Sequence, residues 1–327
     1  MSSSQPSRQH ELATAFESHR RELHVHCYRM TGSLADAEEL TQDVFERAWR
    51  TVDHLDGTAS LRTWLYRIAT NACIDFLRSH QRRARPAASV EETLEREGWI
   101  DPYPDRADPA EHVASAATTD LYLTAALTHL PPRQRAAFIA RDLLELDARA
   151  AAAVLDCTPT AVNSLLQRAH HRVRQLGLRP RGPTSATSDE SELISAYVDA
   201  HQRGDTSAMA SLLAEDVRIT MPPEPPCHGI HAARRFFELI LGDHGPGEWK
   251  LTHAKANGTH ATVNSVRRRD AADFRLLSLD VIYVTDGRIG AIHCFIAPSQ
   301  VRAFAELTAQ GVDAGDLSGA SQRPDDR

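Results

Sequence analysis

The sequence predicts a multidomain protein in which two all-α domains precede a C-terminal α+β domain. Three observations support this prediction. The chain has 327 residues, a length typical of about two or three domains. Apolar residues recur at helical spacing through residues 11–83 and again through residues 119–176. After Ser191 the pattern changes to short helices followed by alternating, strand-like segments that are separated by turns.

Composition and motifs limit the class of protein. No run of about 18 apolar residues occurs, so no membrane-spanning helix is predicted. The first residues, MSSSQPSRQHE, lack the apolar segment of a secretory signal. The five cysteines are scattered without a Cys-x-x-Cys pair, which is typical of reduced cytoplasmic proteins. We therefore expect a cytoplasmic protein with no disulfide framework, no metal and no cofactor.

The net charge of −7 argues against tight DNA binding by the free chain. The charges are unevenly placed, however. Residues 61–86 and 133–181 are rich in arginine, whereas residues 36–56 and 91–111 are acidic. Because local fields govern docking more than the total charge does, two basic segments remain candidates for contact with nucleic acid.

The N-terminal part predicts consecutive helices. Residues 11–30 form the first, which Gly32 ends, and Ser33 is a suitable N-cap for the next. The second helix, residues 35–50, is acidic at its start and carries apolar residues at helical spacing.

The third helix, residues 61–83, combines five arginines with Trp64 and Tyr66. Arginines neutralise phosphates, and aromatic rings accept unstacked bases. This segment alone is equally compatible with a solvated amphipathic helix whose tryptophan lies in the core.

An acidic helix, a short loop and a basic, aromatic helix in this order resemble region 2 of bacterial sigma factors. The elements ADAEELTQDVFERAWR and LRTWLYRIATNACIDFLR carry the resemblance, which is most specific for the extracytoplasmic-function group. In that family the first element binds the clamp helices of the RNA polymerase β′ subunit, although a solvated acidic face has the same composition. The resemblance places at the polymerase Asp36, Glu38, Glu39, Leu40, Gln42, Asp43 and Phe45.

The same resemblance implies that the third helix recognises and melts the −10 promoter element. Asn71 matches the specificity asparagine of the family, and Asp75 and Arg78 follow it on one side of the helix. Trp64 is either a wedge against the duplex or part of the core, and the loop at residues 54–60 would capture a flipped base. The −10 candidates are Arg62, Trp64, Arg67, Asn71, Asp75 and Arg78, with Arg62 and Arg67 as phosphate contacts.

Residues 85–118 are acidic and contain several prolines, which predicts a linker with at most short helices. Acidity of this kind usually serves solubility. Sigma linkers of the family cross the polymerase channel. The alternative interpretation is therefore that the acidic residues of this linker mimic nucleic acid in that channel.

The next helical part contains two helices joined by Asp156-Cys157-Thr158, a pattern that predicts a helix-turn-helix. Thr158 can cap the second helix, and Pro159 suits its first position. After the region 2 match, this part, with LPPRQRAAFIARDL at its start, resembles sigma region 4, which reads the −35 element and whose family partner is the polymerase β flap. The −35 candidates are Thr160, Asn163, Ser164, Gln167, Arg168, His171 and Arg172. The family often has arginine at the positions of Asn163 and Leu165, so the promoter preference of this chain is expected to differ.

The C-terminal part predicts three helices with one early strand and then a sheet meander, and Asp286-Gly287 is a hairpin turn. Pro-Pro-Glu-Pro-Pro is expected to break the chain after the first strand. The segments AHQRGDTSAMASLLAEDVRIT and VTDGRIGAIHCF make this part similar to the SnoaL-like cone, the nuclear-transport-factor-like fold. The predicted helices are 192–203, 208–213, 230–241 and a closing helix at 301–309, and the strands are 216–221, 249–257, 259–268, 274–285 and 288–297.

Cones of this family hold an apolar pocket, and some relatives catalyse reactions with an Asp/His pair. The pocket candidates are Tyr197, Met221, His231, Asp280 and His293. No paired acid–base spacing is evident, so catalysis is not expected. The Cys227-His228-x-x-His231 segment fits no standard zinc spacing.

The predicted function is that of an alternative sigma factor whose C-terminal domain modulates it in cis. Its partners would be core RNA polymerase, promoter DNA and a small molecule in the C-terminal domain, with no membrane. The alternatives are a ligand-sensing helix-turn-helix regulator and a cyclase-like or isomerase-like enzyme fused to a DNA-binding module. The predicted segments are region 2 at 10–84, a linker at 85–118, region 4 at 119–178, a linker at 179–189, the SnoaL-like domain at 190–309 and a disordered tail at 310–327.

Overall fold

The computed structural model describes residues 5–54, 60–80, 89–95, 100–105, 120–176, 188–242 and 245–296. They belong to two compact units, one drawn from residues 1–93 and 122–180 and the other from residues 94–121 and 181–327. Most of the predicted base-capturing loop (residues 55–59), the closing helix and the C-terminal tail lie outside the described residues. No helix in the described part of the chain is both long enough and apolar enough to cross a bilayer.

The first unit begins with three long helices that pack on one another: α1 (Gln5–Thr31), α2 (Leu34–Thr51) and α3 (Leu61–His80). A 3₁₀ turn, Val52–His54, follows α2, and a short helix, α4 (Val90–Leu94), lies beyond α3. The core contains large side chains that are fully buried, among them Leu12, Leu23, Tyr28 and Leu65. The predicted cap of α2 is confirmed, because the Ser33 side chain accepts a hydrogen bond from the Asp36 N–H at 3.3 Å.

The second helical part contains α5 (Leu121–Thr128), α6 (Pro132–Phe138), a π-helical turn (Ile139–Leu143), α7 (Ala148–Leu155) and α8 (Pro159–Gln175). The predicted helix-turn-helix is formed by α7 and α8. Asp156 ends α7 in the left-handed region at φ 49°, and the Thr158 side chain caps α8 by accepting from the Ala161 N–H at 3.2 Å.

Within this unit, α6 and α7 pack against α3. Arg135 on α6 is 2% exposed and fixes the arrangement. Its guanidinium donates to the carbonyl of Met30 at the end of α1, to that of Thr128 at 2.7 Å and to that of Leu130 at 3.3 Å. Burial lowers the pKa of Arg135 to about 10, so the group keeps its charge at neutral pH with carbonyl dipoles in place of a carboxylate.

The second unit contains α9 (Ser188–Gln202), α10 (Thr206–Ser211), α11 (Ile230–Leu241) and a six-stranded sheet in the order β2-β1-β6-β5-β4-β3. Its strands are β1 (Leu213–Met221), β2 (Glu224–His228), β3 (Glu248–Ala256), β4 (Thr259–Arg267), β5 (Arg275–Thr285) and β6 (Arg288–Phe295). Strands β1 and β6 are parallel, and the other neighbours are antiparallel.

Two local expectations have clear outcomes in this unit. The predicted hairpin turn is confirmed, because Asp286 and Gly287 have φ of 53° and 71° between β5 and β6. The break expected at Pro-Pro-Glu-Pro-Pro is confirmed, because β1 ends at Met221, but Glu224–His228 then form a strand, β2, that was not predicted. That strand lies at the edge of the sheet, where a proline without an N–H costs no ladder hydrogen bond.

Candidate functional site

The acidic helix α2 presents a mixed surface. Glu39 and Gln42 are exposed, whereas Leu40 is buried. Glu38 accepts from Arg20 at 3.1 Å, and Asp43 pairs with Arg47 at 2.7 Å. Neighbouring cations therefore balance part of the acidic cluster, while Glu39 remains open to solvent.

An aromatic group continues this surface toward the end of α2. The half-buried Phe45 ring lies 4.8 Å from Phe16 and 5.7 Å from Trp49. Trp49 is 38% exposed, which makes it one of two large apolar side chains exposed among the described residues. Helix α2 thus presents an exposed indole near its end, the exposed Glu39 in its first half and the half-buried Asp36 at its start. A basic, partly apolar partner helix can pack on a surface of this kind.

Helix α3 separates its candidates into an exposed row and a buried face. Arg67, Asn71, Asp75 and Arg78 are all exposed and follow one another along one side of the helix. Trp64 is 6% exposed, so it belongs to the core. The exposed row offers hydrogen-bond donors and acceptors to bases and two guanidinium groups to phosphates.

Arg62 has a carboxylate partner that the sequence did not indicate. Its Nε and Nη2 donate to Glu22 Oε2 at 2.9 and 2.6 Å, and the Tyr66 hydroxyl donates to the same oxygen at 3.1 Å. The guanidinium carbon also lies 4.9 Å from the centre of the Tyr66 ring. Burial opposes ionisation of Glu22, but the Arg62 hydrogen bonds prevail and lower its pKa. Arg62 is thus held by α1, and a phosphate would have to compete with Glu22 for it.

The recognition helix α8 carries all of its candidates on the outside. Val162 and Ala169 are buried and face the rest of the unit. His170 contacts the Asp142 carboxylate and lies edge-on to Phe138, so it braces α8 against the π-helical turn. The exposed −35 candidates are Thr160, Asn163, Ser164, Gln167, Arg168, His171 and Arg172.

Within the second unit, part of the acidic linker contacts the β3–β4 turn. We call this contact the linker seat, formed by residues 103–105 against residues 255–258. The Tyr103 N–H donates to Asn257 Oδ1 and the Asn257 N–H donates to the Tyr103 carbonyl, both at 2.8 Å. The Asp105 N–H donates to the Lys255 carbonyl at 3.1 Å, and Asp105 Oδ2 accepts from the Gly258 N–H at 2.8 Å. Four hydrogen bonds therefore hold Tyr103 and Asp105, the two residues that flank Pro104.

Further linker residues are attached on both sides of the seat. Ile100 and Tyr103 are 3% and 5% exposed. Glu95 forms an ion pair with Arg218 on β1. The Tyr283 hydroxyl on β5 donates to Asp120 Oδ2 and accepts from the Leu121 N–H, both at 3.3 Å. The chain between the two helical domains is thus bound by the C-terminal unit before and after residues 106–119.

A cavity of about 100 Å³ lies between the helices and one face of the sheet. Tyr197, Met221 and Asp280 line it, as do four residues that the sequence did not single out, His201, Trp249, Ser278 and Cys294. His201 follows Tyr197 by one helical turn, which is the one local signal that could have indicated it.

The other two pocket candidates lie elsewhere. His231 is exposed on α11. His293 points to the opposite face of the sheet, where its Nδ1 lies 2.8 Å from the Thr220 hydroxyl. Among the described residues, no group of three or more histidine, cysteine or acidic side chains is arranged to hold a metal ion.

Three family models match the chain. Sigma-70 region 2 matches residues 15–83, Sigma-70, region 4 matches residues 120–170, and the SnoaL-like domain matches residues 194–292. Together with the observed helices and sheet, these matches confirm the predicted fold class.

Two similar proteins are named as sigma factors. ECF RNA polymerase sigma factor SigG of Mycobacterium tuberculosis is 35% identical over 293 residues, which cover 84% of this chain and 79% of SigG. ECF RNA polymerase sigma factor SigJ of the same species is 31% identical over 211 residues, or 63% of each chain. The crystal structure of SigJ has the same fold, with a TM-score of 0.61 at 23% identity over 89% of this chain and 98% of SigJ. This protein therefore belongs to the extracytoplasmic-function RNA polymerase sigma factors, the family that directs RNA polymerase to specific promoters, and it carries a SnoaL-like domain on the C-terminal side of the two sigma regions.

Proposed function

We propose that this sigma factor binds core RNA polymerase through α2, reads and melts the −10 element with the exposed row of α3, and reads the −35 element with α8. We further propose that the C-terminal domain controls these steps in cis by holding the linker. The observation that carries the promoter part is the solvent-exposed row formed by Arg67, Asn71, Asp75 and Arg78.

The polymerase surface would be the outer side of α2. Glu39, Gln42 and the half-buried Asp36 offer negative and polar groups to the basic clamp helices of β′, and Phe45 with Trp49 offers apolar area. Charge pairs set the orientation and the rate of association, whereas buried aromatic side chains supply most of the affinity. Region 4 would meet the β flap in the same complex.

On α3, Asn71 is the candidate for a base contact, because an amide side chain can donate and accept at once. Arg67 and Arg78 would neutralise phosphates on either side of it. The chain has no nucleotide-hydrolysis motif, so melting would draw on binding energy alone. On α8, Asn163 suits an adenine, and Arg168 suits a guanine or a phosphate.

Control in cis is supported by the linker seat. Family linkers cross the polymerase channel, and a linker held by Asn257, Lys255 and Gly258 is not available for that path. Binding to polymerase would therefore compete with the seat. A small molecule in the cavity lined by Asp280 would shift this competition by changing the stability of the domain that provides the seat.

Run-off transcription with purified core polymerase tests the promoter part. Asn71→Ala and Arg78→Ala should each reduce output from a cognate promoter, and Glu192→Ala, an exposed change on α9 of the C-terminal unit, is the control. A chain that fails to associate with core polymerase would refute the proposal. The proposal also places this protein in the cytoplasm, where the polymerase acts.

Two other functions are separated by simple measurements. A helix-turn-helix regulator would shift a promoter fragment in a gel without core polymerase, and the net charge of −7 argues against this. An enzyme would turn over a substrate in the pocket. We propose that the protein is not an enzyme, because the relatives that match over most of their length are sigma factors.

A further inference from the structure

Aromatic rings form part of the wall of the cavity in the C-terminal domain. Tyr197, Phe236, Phe237 and Trp249 all contribute to its wall, with aliphatic side chains of the sheet between them. Its volume of about 100 Å³ is of the order that holds one six-membered ring. Met221, Phe236 and Trp249 are half-buried, whereas Tyr197 and Phe237 are about 1% exposed, so the cavity has an outer and an inner end.

A carboxylate lies in this apolar wall without a cation beside it. Asp280 is 5% exposed and accepts a hydrogen bond from the Ser278 hydroxyl at 3.1 Å. Ser278 in turn accepts from Asn264 Nδ2 at 2.9 Å. No lysine or arginine of the described residues pairs with Asp280. Burial raises its pKa to about 6, so at neutral pH the cavity holds a negative charge that hydrogen bonds alone stabilise.

Another polar side chain of the wall, His201, has a ring nitrogen without a hydrogen-bond partner. His201 is 2% exposed, its ring lies 4.9 Å from that of Trp249, and its Nδ1 has no hydrogen-bond partner. Burial lowers the pKa of His201 to about 4, so the ring is neutral and one of its nitrogens can accept a hydrogen bond. The other titratable groups near Asp280 are Tyr197, Cys294 and, beyond it, Cys227, and burial raises the pKa of each of these above its ordinary value.

We propose that this cavity binds a small organic cation, an ammonium group on an apolar body of about one ring. The Asp280 carboxylate supplies the missing counter-charge, His201 supplies an acceptor, and the aromatic faces attract the cation further. A neutral alcohol of the same shape leaves the carboxylate uncompensated, and an anion is repelled by it. This inference deepens, and rests on, the proposal that a small molecule occupies the C-terminal domain.

Isothermal titration calorimetry on the full chain tests the inference with benzylamine and its neutral analogue, benzyl alcohol. At pH 7.5 benzylamine is expected to bind at least tenfold more tightly than the alcohol. Its affinity should fall up to tenfold per pH unit below pH 6, because Asp280 takes up a proton there. The nearly isosteric Asp280→Asn should lose at least tenfold in affinity for the amine. Asp270→Asn, on an exposed turn, is the matched control and should bind like the unchanged chain.

Three results overturn the inference: no binding of benzylamine, equal binding of the alcohol, or binding that tightens toward pH 5. Retained affinity in Asp280→Asn has the same consequence. If that variant does not fold, the pH profile of the unchanged chain decides alone. Run-off transcription with the same preparation separates the two proposals, because an active sigma factor that ignores the amine refutes only the ligand, whereas an inactive chain refutes the proposed function.

Discussion

The Asn257 side chain is the point at which the linker seat can be weakened without changing either sigma region. Its Oδ1 accepts the Tyr103 N–H at 2.8 Å, while its own backbone N–H donates back to Tyr103. The residue has φ 53°, in the left-handed region that glycine and asparagine adopt most easily. Asn257→Gly therefore removes the acceptor without adding backbone strain.

The magnitude follows from that hydrogen bond. Tyr103 is 5% exposed, so its N–H would be left buried without an acceptor, at a cost of about 1–3 kcal/mol. A change of this size multiplies the fraction of released linker by about 5–150. If polymerase binds only the released form, the apparent affinity for core polymerase rises by up to the same factor. We therefore expect Asn257→Gly to increase promoter output at limiting core polymerase.

Two measurements check this reasoning. Hydrogen exchange should become faster at residues 103–105, and run-off transcription should increase. Asn257→Asp keeps an acceptor oxygen at the same place, and it is the matched control for both. Unchanged exchange in the glycine variant would show that the seat does not depend on this hydrogen bond. Faster exchange with unchanged transcription would refute control through the linker.

Three other predictions concern separate parts of the chain. Asn71→Ala should lower run-off transcription about tenfold relative to Glu192→Ala, since one bidentate base contact is worth about 1–3 kcal/mol; equal output from both variants would exclude Asn71 as a base contact. Arg135→Met should lower the free energy of unfolding by about 2–4 kcal/mol in urea titrations, because three backbone carbonyls, two of them in buried contacts, lose their donor. An unchanged midpoint would show that these contacts contribute nothing. Asp280→Asn should be more stable than the unchanged chain at pH 8 and equally stable at pH 3. The folded pKa of Asp280 is raised from 3.8 to about 6, so its ionisation costs the folded state roughly 3 kcal/mol at high pH and nothing once both states are protonated; a gap that does not vary with pH would contradict this.

Local signals in the sequence were sufficient for most elements. Apolar spacing predicted α1 to α3, and the caps at Ser33 and Thr158 act at the ends where the sequence placed them. The Asp286-Gly287 turn followed from its dipeptide, because few other pairs accept two positive φ angles. In each case the interaction that decides the structure lies within four residues along the chain.

The contacts that the sequence could not predict join distant residues. Glu22 meets Arg62 across forty positions, and Tyr103 meets Asn257 across 154. Neither partner is unusual in its own segment, so nothing local indicates the pair. Strand β2 was missed for a different reason, since prolines are rare in strands but are tolerated at an open edge.

The packing of α6 and α7 on α3 has a geometric consequence for promoter engagement. The −10 and −35 elements of the proposed function differ by about 25 base pairs in their position numbers, which at roughly 3.4 Å per step is about 85 Å. A compact unit of the size of this helical one has a radius of gyration of about 15 Å and is therefore roughly 40 Å across. Under the proposed function, one such body cannot touch both elements at once. The guanidinium of Arg135 would then have to leave the carbonyl of Met30 before both are read, and polymerase and DNA together would supply the free energy for that separation.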